Sequence, residues 1–346
     1  MSETSVSHEK LTAFASGCLR SLGLTAADAQ LVADTLVAAN LRGVDSHGVV
    51  RLPHYATRLR NGSVKPRPDI SVRRTGASSA MVEGDAGMGQ LVAARAMREA
   101  IALARDSGVG AVGARNSSHC GACAYFVELA LREGMIGVAL THTDPIMVPP
   151  GMKRIFLGSN PIAFGAPGGS GPPVLVDMST THAALGKVIV ARQEGKPIPP
   201  DWGVDAEGKP TTDPARVVGL APTGAHKGYA LALMVEVLCA LLTGVPFGLH
   251  VTKMYAELDK PRNLGHFMLA LDVARFTDAA AFRSQIDLFL QEIRAQEPAD
   301  PARPPLAPGD PERLTAGERT RHGIPLGQGV LAELSALAAE LGIAGL

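Results

Sequence analysis

Three observations predict an α/β or α+β fold. From residue 70 onward, strand-length apolar runs alternate with helix-length segments. The residues before that carry helical periodicity alone. Hydrophobic residues make up 46% of the 346-residue chain against 19% charged, enough apolar material for a sizeable core.

The elements follow in order. Residues 8–22 are helical in pattern, and Thr25 caps a second run in which Ala29, Val32, Leu36 and Ala39 share a face until Gly43 ends it. A third helical stretch is predicted over 46–60, closed by Asn61-Gly62, with Pro53 either kinking it or delaying its regular part. Strands are predicted at 70–74, 80–83, 109–114, 136–140, 161–165, 174–177 and 267–271, with helices at 90–106, 122–134, 228–243, 279–295 and 329–341. Residues 194–223, rich in Gly, Pro and charge, read as a long irregular excursion. Residues 297–311 hold six prolines and read as an extended crossing segment.

Charge and hydropathy exclude several functions. Lys plus Arg and Asp plus Glu each count 33, so no general field draws the chain to nucleic acid or anionic lipid. Its longest apolar stretch, 229–242, is too short for a bilayer and contains Glu236. The start, Met1 to Lys10, is polar and lacks the apolar core of a signal peptide, which points to the cytoplasm. Four cysteines make no disulfide framework. Cys18 and Cys239 read as buried thiols, and the Cys120-x-x-Cys123 pair lacks the second pair that structural zinc requires.

Gly108-Val-Gly110-Ala-Val-Gly113 satisfies G-x-G-x-x-G, but here a helix precedes the motif and the motif is itself the strand. A dinucleotide turn needs the reverse order, with the glycines opening a helix onto the pyrophosphate. The fold is therefore predicted to be non-Rossmann, its glycines allowing a central strand to pack closely.

Chemistry concentrates in four places. His47, Arg51 and Tyr55 recur at i, i+4 and i+8, one face of a continuous helix. Arg51 would fork a carboxylate, although a surface helix with scattered polar residues has the same spacing. His119 lies between a strand and a helix, where an imidazole of ordinary pKa near ~6.5 can take a hydroxyl proton, or serve structure alone. The turns around Ser159-Asn160 and Asp177-Met-Ser179 adjoin strands and offer hydroxyls and amides. Lys227-Gly228 opens an apolar helix, a plausible phosphate site that is not a Walker motif.

Taken together, Asp45-Ser-His-Gly48, Ser118-His119, Gly158-Ser-Asn-Pro-Ile162, Asp177-Met178, Gly186-Lys187, Pro210-Thr-Thr-Asp-Pro214, Lys227-Gly228, Leu264-Gly-His266 and Gly323-Ile324 form an ordered set. It resembles the type-2 malate/L-lactate dehydrogenase family, which also holds ureidoglycolate and sulfolactate dehydrogenases, and it spans nearly the whole chain. Cys120-Gly-Ala-Cys-Ala-Tyr-Phe126, Thr143-Asp-Pro-Ile-Met-Val-Pro149 and Met254-Tyr with Arg262-Asn-Leu-Gly265 look most like the ureidoglycolate branch. The chain departs from the family where Leu185 stands for the Arg of Arg-Gly-Lys, and from that branch where Thr143 stands for Ser.

The resemblance implies a largely antiparallel seven-stranded sheet binding NAD, with NADP as the alternative. It also implies a helical domain of residues 1–70 with 280–346 against a catalytic domain of 71–279, and a homodimer. It implies an acid/base role for His119 with Ser46 and His47 beside it. Substrate contacts would come from Arg51 and Arg262, to which the one-face reading adds Tyr55. Cofactor contacts would come from Thr143, Asp177, Met178, Ser179, Lys227, Gly228 and Gly309, with no metal. The reaction implied is hydride transfer between a small 2-hydroxy acid, ureidoglycolate-like, and the nicotinamide; malate, L-lactate and sulfolactate are the related alternatives. A metal-dependent hydrolase built on Asp45, His47, His54 and His119 is the competing class.

Overall fold

A computed structural model describes residues 3–346; Met1 and Ser2, the first residues of the polar start, lie outside them. The chain opens with β1 (Glu3–Val6), α1 (His8–Ser21) and α2 (Ala26–Leu41). Ser7 and Thr25 cap the two helices, each side chain accepting the N–H three residues on.

The predicted helix over 46–60 is broken. Asp45–His47 and Val49–Arg51 are single 3-10 turns, separated by an extended Gly48, and α3 (Leu52–Arg60) begins only after them. Pro53 falls in its first turn, where the missing N–H costs nothing. Gly48 is required: a Cβ there would lie 2.1 Å from the Asn40 Oδ1.

The central part runs β2 (Ser71–Arg74), β3 (Ser79–Glu83), α4 (Gly89–Ser107), β4 (Val109–Ser117), α5 (Ala124–Arg132), β5 (Ile136–Thr141), β6 (Ile162–Ala166) and β7 (Val174–Met178). Then come α6 (Leu185–Glu194), the two-residue strands β8 (Gly203–Val204) and β9 (Gly219–Leu220), and α7 (His226–Glu236), which continues as a π turn over Val237–Leu241. The chain closes with β10 (Leu264–Leu271), α8 (Ala279–Arg294), α9 (Asp310–His322), β11 (Ile324–Gly327) and α10 (Gln328–Leu341).

A seven-stranded sheet has the order β2-β3-β4-β10-β5-β6-β7. It is mixed, which corrects the expectation of a largely antiparallel sheet: β3 and β4 pair in parallel, although the other neighbours run antiparallel. The cause is α4, the crossover helix that carries the chain from the end of β3 back to the start of β4. The glycine motif falls at that crossover. Gly108 ends α4 at φ +84°, and Gly110 brings β4 so close that a Cβ would lie 1.9 Å from the Ala100 carbonyl oxygen.

Two large apolar clusters form. One joins α1, α2, α3 and α10, with β1 paired antiparallel to β11 from Glu3↔Gly327 to Val6↔Ile324. The other lies between the sheet and α4 and α5. Among the described residues no helix is long and apolar enough to cross a membrane.

Candidate active site

A cavity of about 760 Å3 opens between the 3-10 turns after α2, the loop after β4, the ends of β5 and β7, and the start of α9. The turns are shaped from behind. The Asp45 carboxylate takes two N–H groups of Arg319 at 2.6 and 3.0 Å and one from the Asn40 amide at 2.6 Å. The Asn40 carbonyl in turn accepts the N–H of Val49 at 2.9 Å. This clamp presents Ser46, His47 and Arg51 to the cavity.

Although no continuous helix exists, the expected partners converge. The His47 ring stacks on His119 at 5.5 Å between centroids, and its Nδ1 lies 2.9 Å from the Ser46 hydroxyl. Arg51 donates through Nε to the Ser46 carbonyl at 2.6 Å and through Nη1 to the Tyr255 hydroxyl. Tyr55, of which a substrate contact was expected, does not line the cavity. It is buried behind His119, with its hydroxyl 2.7 Å from the Nδ1 of that ring, because α3 starts late and turns its face inward.

Burial and cationic neighbours decide the charge states. Burial, with Arg51 alongside, lowers His47 to about 4. Burial, then His47 and Arg51, holds His119 well below the usual histidine value. Both rings are neutral at neutral pH, so the ordinary value near ~6.5 does not apply to them.

Arg262 is the most informative cation. Only 2% of it is exposed, and Nη2 donates to Asp144 at 2.5 Å. Its Nε and Nη1 have no hydrogen-bond partner among the described residues, although the side chain lines the cavity. Buried N–H groups of a charged guanidinium are costly to leave unpaired, so the site is built to receive an acceptor.

On the other wall Thr143, Asp177, Met178, Ser179 and Gly309 line the cavity. Asp177 accepts the N–H of Ala124 at the start of α5, at 2.7 Å, while burial raises its carboxyl to about 6. Gly309 precedes α9 at φ +94°, with a Cβ there only 2.8 Å from the Leu175 carbonyl oxygen. Lys227 and Gly228 are not brought to the lining. Lys227 is exposed, and Gly228 packs inward where a Cβ would lie 2.4 Å from the Thr223 carbonyl oxygen; its role is close packing.

The residues of the hydrolase reading are spent elsewhere: Asp45 on Arg319, and the Nε2 of His54 on the Nε of Arg58 at 3.1 Å. All four cysteines are free and buried, and Cys120 lies against the cavity. Sequence reasoning missed Gln90, Asp144 and the role of Tyr255. Gln90 acts across a long sequence separation that no local pattern reveals, whereas Asp144 and Tyr255 stood within segments already singled out.

A family model described as malate/L-lactate dehydrogenase matches residues 6–335. The chain belongs to the malate/L-lactate dehydrogenase family. The malate dehydrogenase of Pyrococcus horikoshii is 38% identical over 99% of this chain and 96% of its own length. The NAD(+)-linked ureidoglycolate dehydrogenase of Escherichia coli O157:H7 is 37% identical over 93% of this chain and 92% of its own. The solved sulfolactate dehydrogenase of Methanocaldococcus jannaschii superposes with a TM-score of 0.93 at 35% identity, covering 98% of each chain. This member of the family is thus a nicotinamide-dependent 2-hydroxy acid dehydrogenase.

Proposed function

We propose that this dehydrogenase oxidises a small 2-hydroxy acid of the ureidoglycolate type to the 2-oxo acid. One observation carries the reading: a neutral histidine and a buried guanidinium with two unpaired donors face the same cavity. His119 takes the hydroxyl proton as hydride leaves C2, which avoids a protonated carbonyl. Arg262 receives the carboxylate, while Arg51, already held by Ser46 and Tyr255, meets the distal polar group. Ser46 and His47 fix the wall beside the reacting carbon.

The nicotinamide dinucleotide, when bound, accepts the hydride. NAD is the proposed form and NADP the alternative. The cavity is in the upper part of the ~300–1,000 Å3 range for small-molecule pockets and combines the apolar Met178 with the polar Thr143, Asp177, Ser179 and the bare backbone of Gly309. Those residues would hold the cofactor.

Charge supports a monoanionic substrate. Asp144 offsets Arg262, and the histidines are neutral, so Arg51 is the uncompensated charge at this end. A second anionic group, as in malate or sulfolactate, would meet Arg51 but would exceed the single net positive charge that Arg51, Arg262 and Asp144 leave at this end. L-Lactate is also a monoanion but brings no polar tail for Arg51. Assaying ureidoglycolate, L-lactate, malate and sulfolactate with each nicotinamide tests the reading. Malate or sulfolactate turned over with the highest kcat/KM would refute it.

Three further readings accompany this one. A homodimer is supported by the exposed Leu233, Met234, Val237, Leu241 and Leu242 along α7 and its π turn, and sedimentation of the purified protein tests it. A helical domain of 1–70 with 280–346 against a catalytic domain of 71–279 is supported by the apolar cluster that joins α1, α2 and α3 to β11 and α10, although α8 holds the β6–β7 turn through Asp287. Free cysteines support a cytoplasmic setting.

A further inference from the structure

Behind His119 lies a buried polar chain that the reaction as described does not use. Gln90, in the first turn of α4, is 0% exposed, and its Nε2 lies 3.1 Å from the Tyr55 hydroxyl, itself 2.7 Å from the His119 Nδ1. The spacing is rigid, because a Cβ on the preceding Gly89 would lie 2.3 Å from the Ser118 carbonyl oxygen and 2.5 Å from that of His119. The other end of the carboxamide, Oε1, is buried without a partner among the described residues.

Counting protons along this chain shows two alternatives. A tyrosine hydroxyl has one hydrogen to give. When Gln90 presents its N–H to Tyr55, the Tyr55 hydrogen goes to His119 Nδ1. The neutral ring then carries its own hydrogen on Nε2, the nitrogen left for the cavity, and has no lone pair to offer a hydroxyl. When the carboxamide turns by a half-turn, Oε1 accepts from Tyr55, and Tyr55 accepts from Nδ1–H. Nε2 then presents a lone pair. The two ends of a carboxamide are nearly the same size, and each direction leaves one end unpaired, so neither is strongly preferred on hydrogen-bond count.

We infer that Gln90 is a positioning residue which, acting through Tyr55, selects the tautomer of His119 and thereby switches the ring between a resting and a base-competent form. The inference rests on the assignment of His119 as the base. In the competent form the substrate hydroxyl proton passes to Nε2, giving an imidazolium whose Nδ1–H stays on the Tyr55 oxygen, while the Tyr55 hydrogen stays on Gln90 Oε1. In the reverse direction that imidazolium returns the Nε2 proton to the oxo group. Burial keeps the Tyr55 phenol neutral throughout. The competent direction thus serves both halves of the reaction, and the resting direction serves neither.

The test combines nitrogen NMR of histidine-labelled protein with kinetics. In the wild-type protein without substrate, the His119 nitrogens report which one carries hydrogen, and both tautomers are expected. Gln90→Met, with a side chain of similar length, removes both donor and acceptor and should collapse that mixture toward one tautomer. It should lower kcat by about a hundredfold to ten-thousandfold, the contribution of a general base, with the upper end corresponding to a base histidine held in the wrong tautomer. KM and cofactor Kd should stay within about twofold, since no binding group has been removed. Gln90→Glu restores an acceptor, and is expected to recover part of kcat and to move the acid limb of the pH profile upward. Unchanged nitrogen shifts and pH profile in Gln90→Met would overturn the relay, as would a single Nε2–H tautomer in wild-type protein that persists when an oxamate-type 2-oxo acid analogue binds. Turnover intact in His119→Ala would instead overturn the assignment of the base, leaving the NMR result to stand by itself.

Discussion

Neutral histidines set the behaviour of the site residue by residue. Since His119 is held well below the ordinary value, oxidation should show no histidine limb at neutrality. kcat/KM is expected to be flat above about pH 6.5 and to fall only in more acid solution, as Nε2 becomes protonated. A limb centred near neutrality would contradict the assigned burial. His119→Ala should cost about 10²–10⁴ in kcat while a substrate analogue still binds by calorimetry. If His47→Ala is inactive and His119→Ala is not, the stacked rings exchange roles. Arg51→Lys keeps a single point donor, so one of the two donations to Ser46 and Tyr255 is lost. A charge-assisted bond contributes about 1.5–3 kcal/mol, so kcat/KM should fall roughly tenfold to a hundredfold. Equilibrium titration with NADH should show cofactor affinity little changed, because Arg51 is proposed to meet the distal group of the substrate and not the cofactor.

Elements were legible where their pattern was periodic. The capped helices α1 and α2 and the strands of the large sheet were visible because apolar spacing reports a buried face directly. The charged helix α9 was not, since among its residues only Asp310 is buried and no apolar stripe marks it. The stretch over 46–60 misled for a different reason. Its residues suit a helix, but the Asn40 side chain fills the space where the turn between His47 and Val49 would need a Cβ. The convergence of His47, Arg51 and His119 was therefore foreseen by motif and wrong in geometry, and Gln90, 35 positions from Tyr55, left no local sign. Gly48→Ala tests the geometry: overpacking against Asn40 should cost about 1–3 kcal/mol, read as a lower denaturant midpoint, with a larger loss in kcat/KM as Ser46 and His47 move. An alanine variant as stable and active as the parent would show that the turn has room.

For the whole molecule, acid should be destabilising. His47, His54 and His142 are lowered to about 4 and His119 is held well below its usual value, each chiefly by burial. Between those values and about 6.5 the unfolded chain binds more protons than the folded one, so stability falls as pH drops through that window. Asp177, raised to about 6, works in the opposite sense, since its folded form takes up a proton before the unfolded chain does. Four histidines outweigh Asp177 and Glu236, whose carboxyl is also raised by burial, and Tm should decrease steadily from about pH 7 to about pH 5. Calorimetry showing a constant or rising Tm would overturn that balance. The clamp on Asp45 has a consequence for how the protein is made. Arg319 lies 274 positions after the aspartate it holds, and β11 follows it directly. A chain emerging from the ribosome at ~5–20 residues per second has made Asp45 and His47 many seconds before the arginine that holds their turn is synthesised. Activity should therefore arrive only with the last few dozen residues, so that premature termination yields inert chains rather than fragments with partial, unregulated turnover.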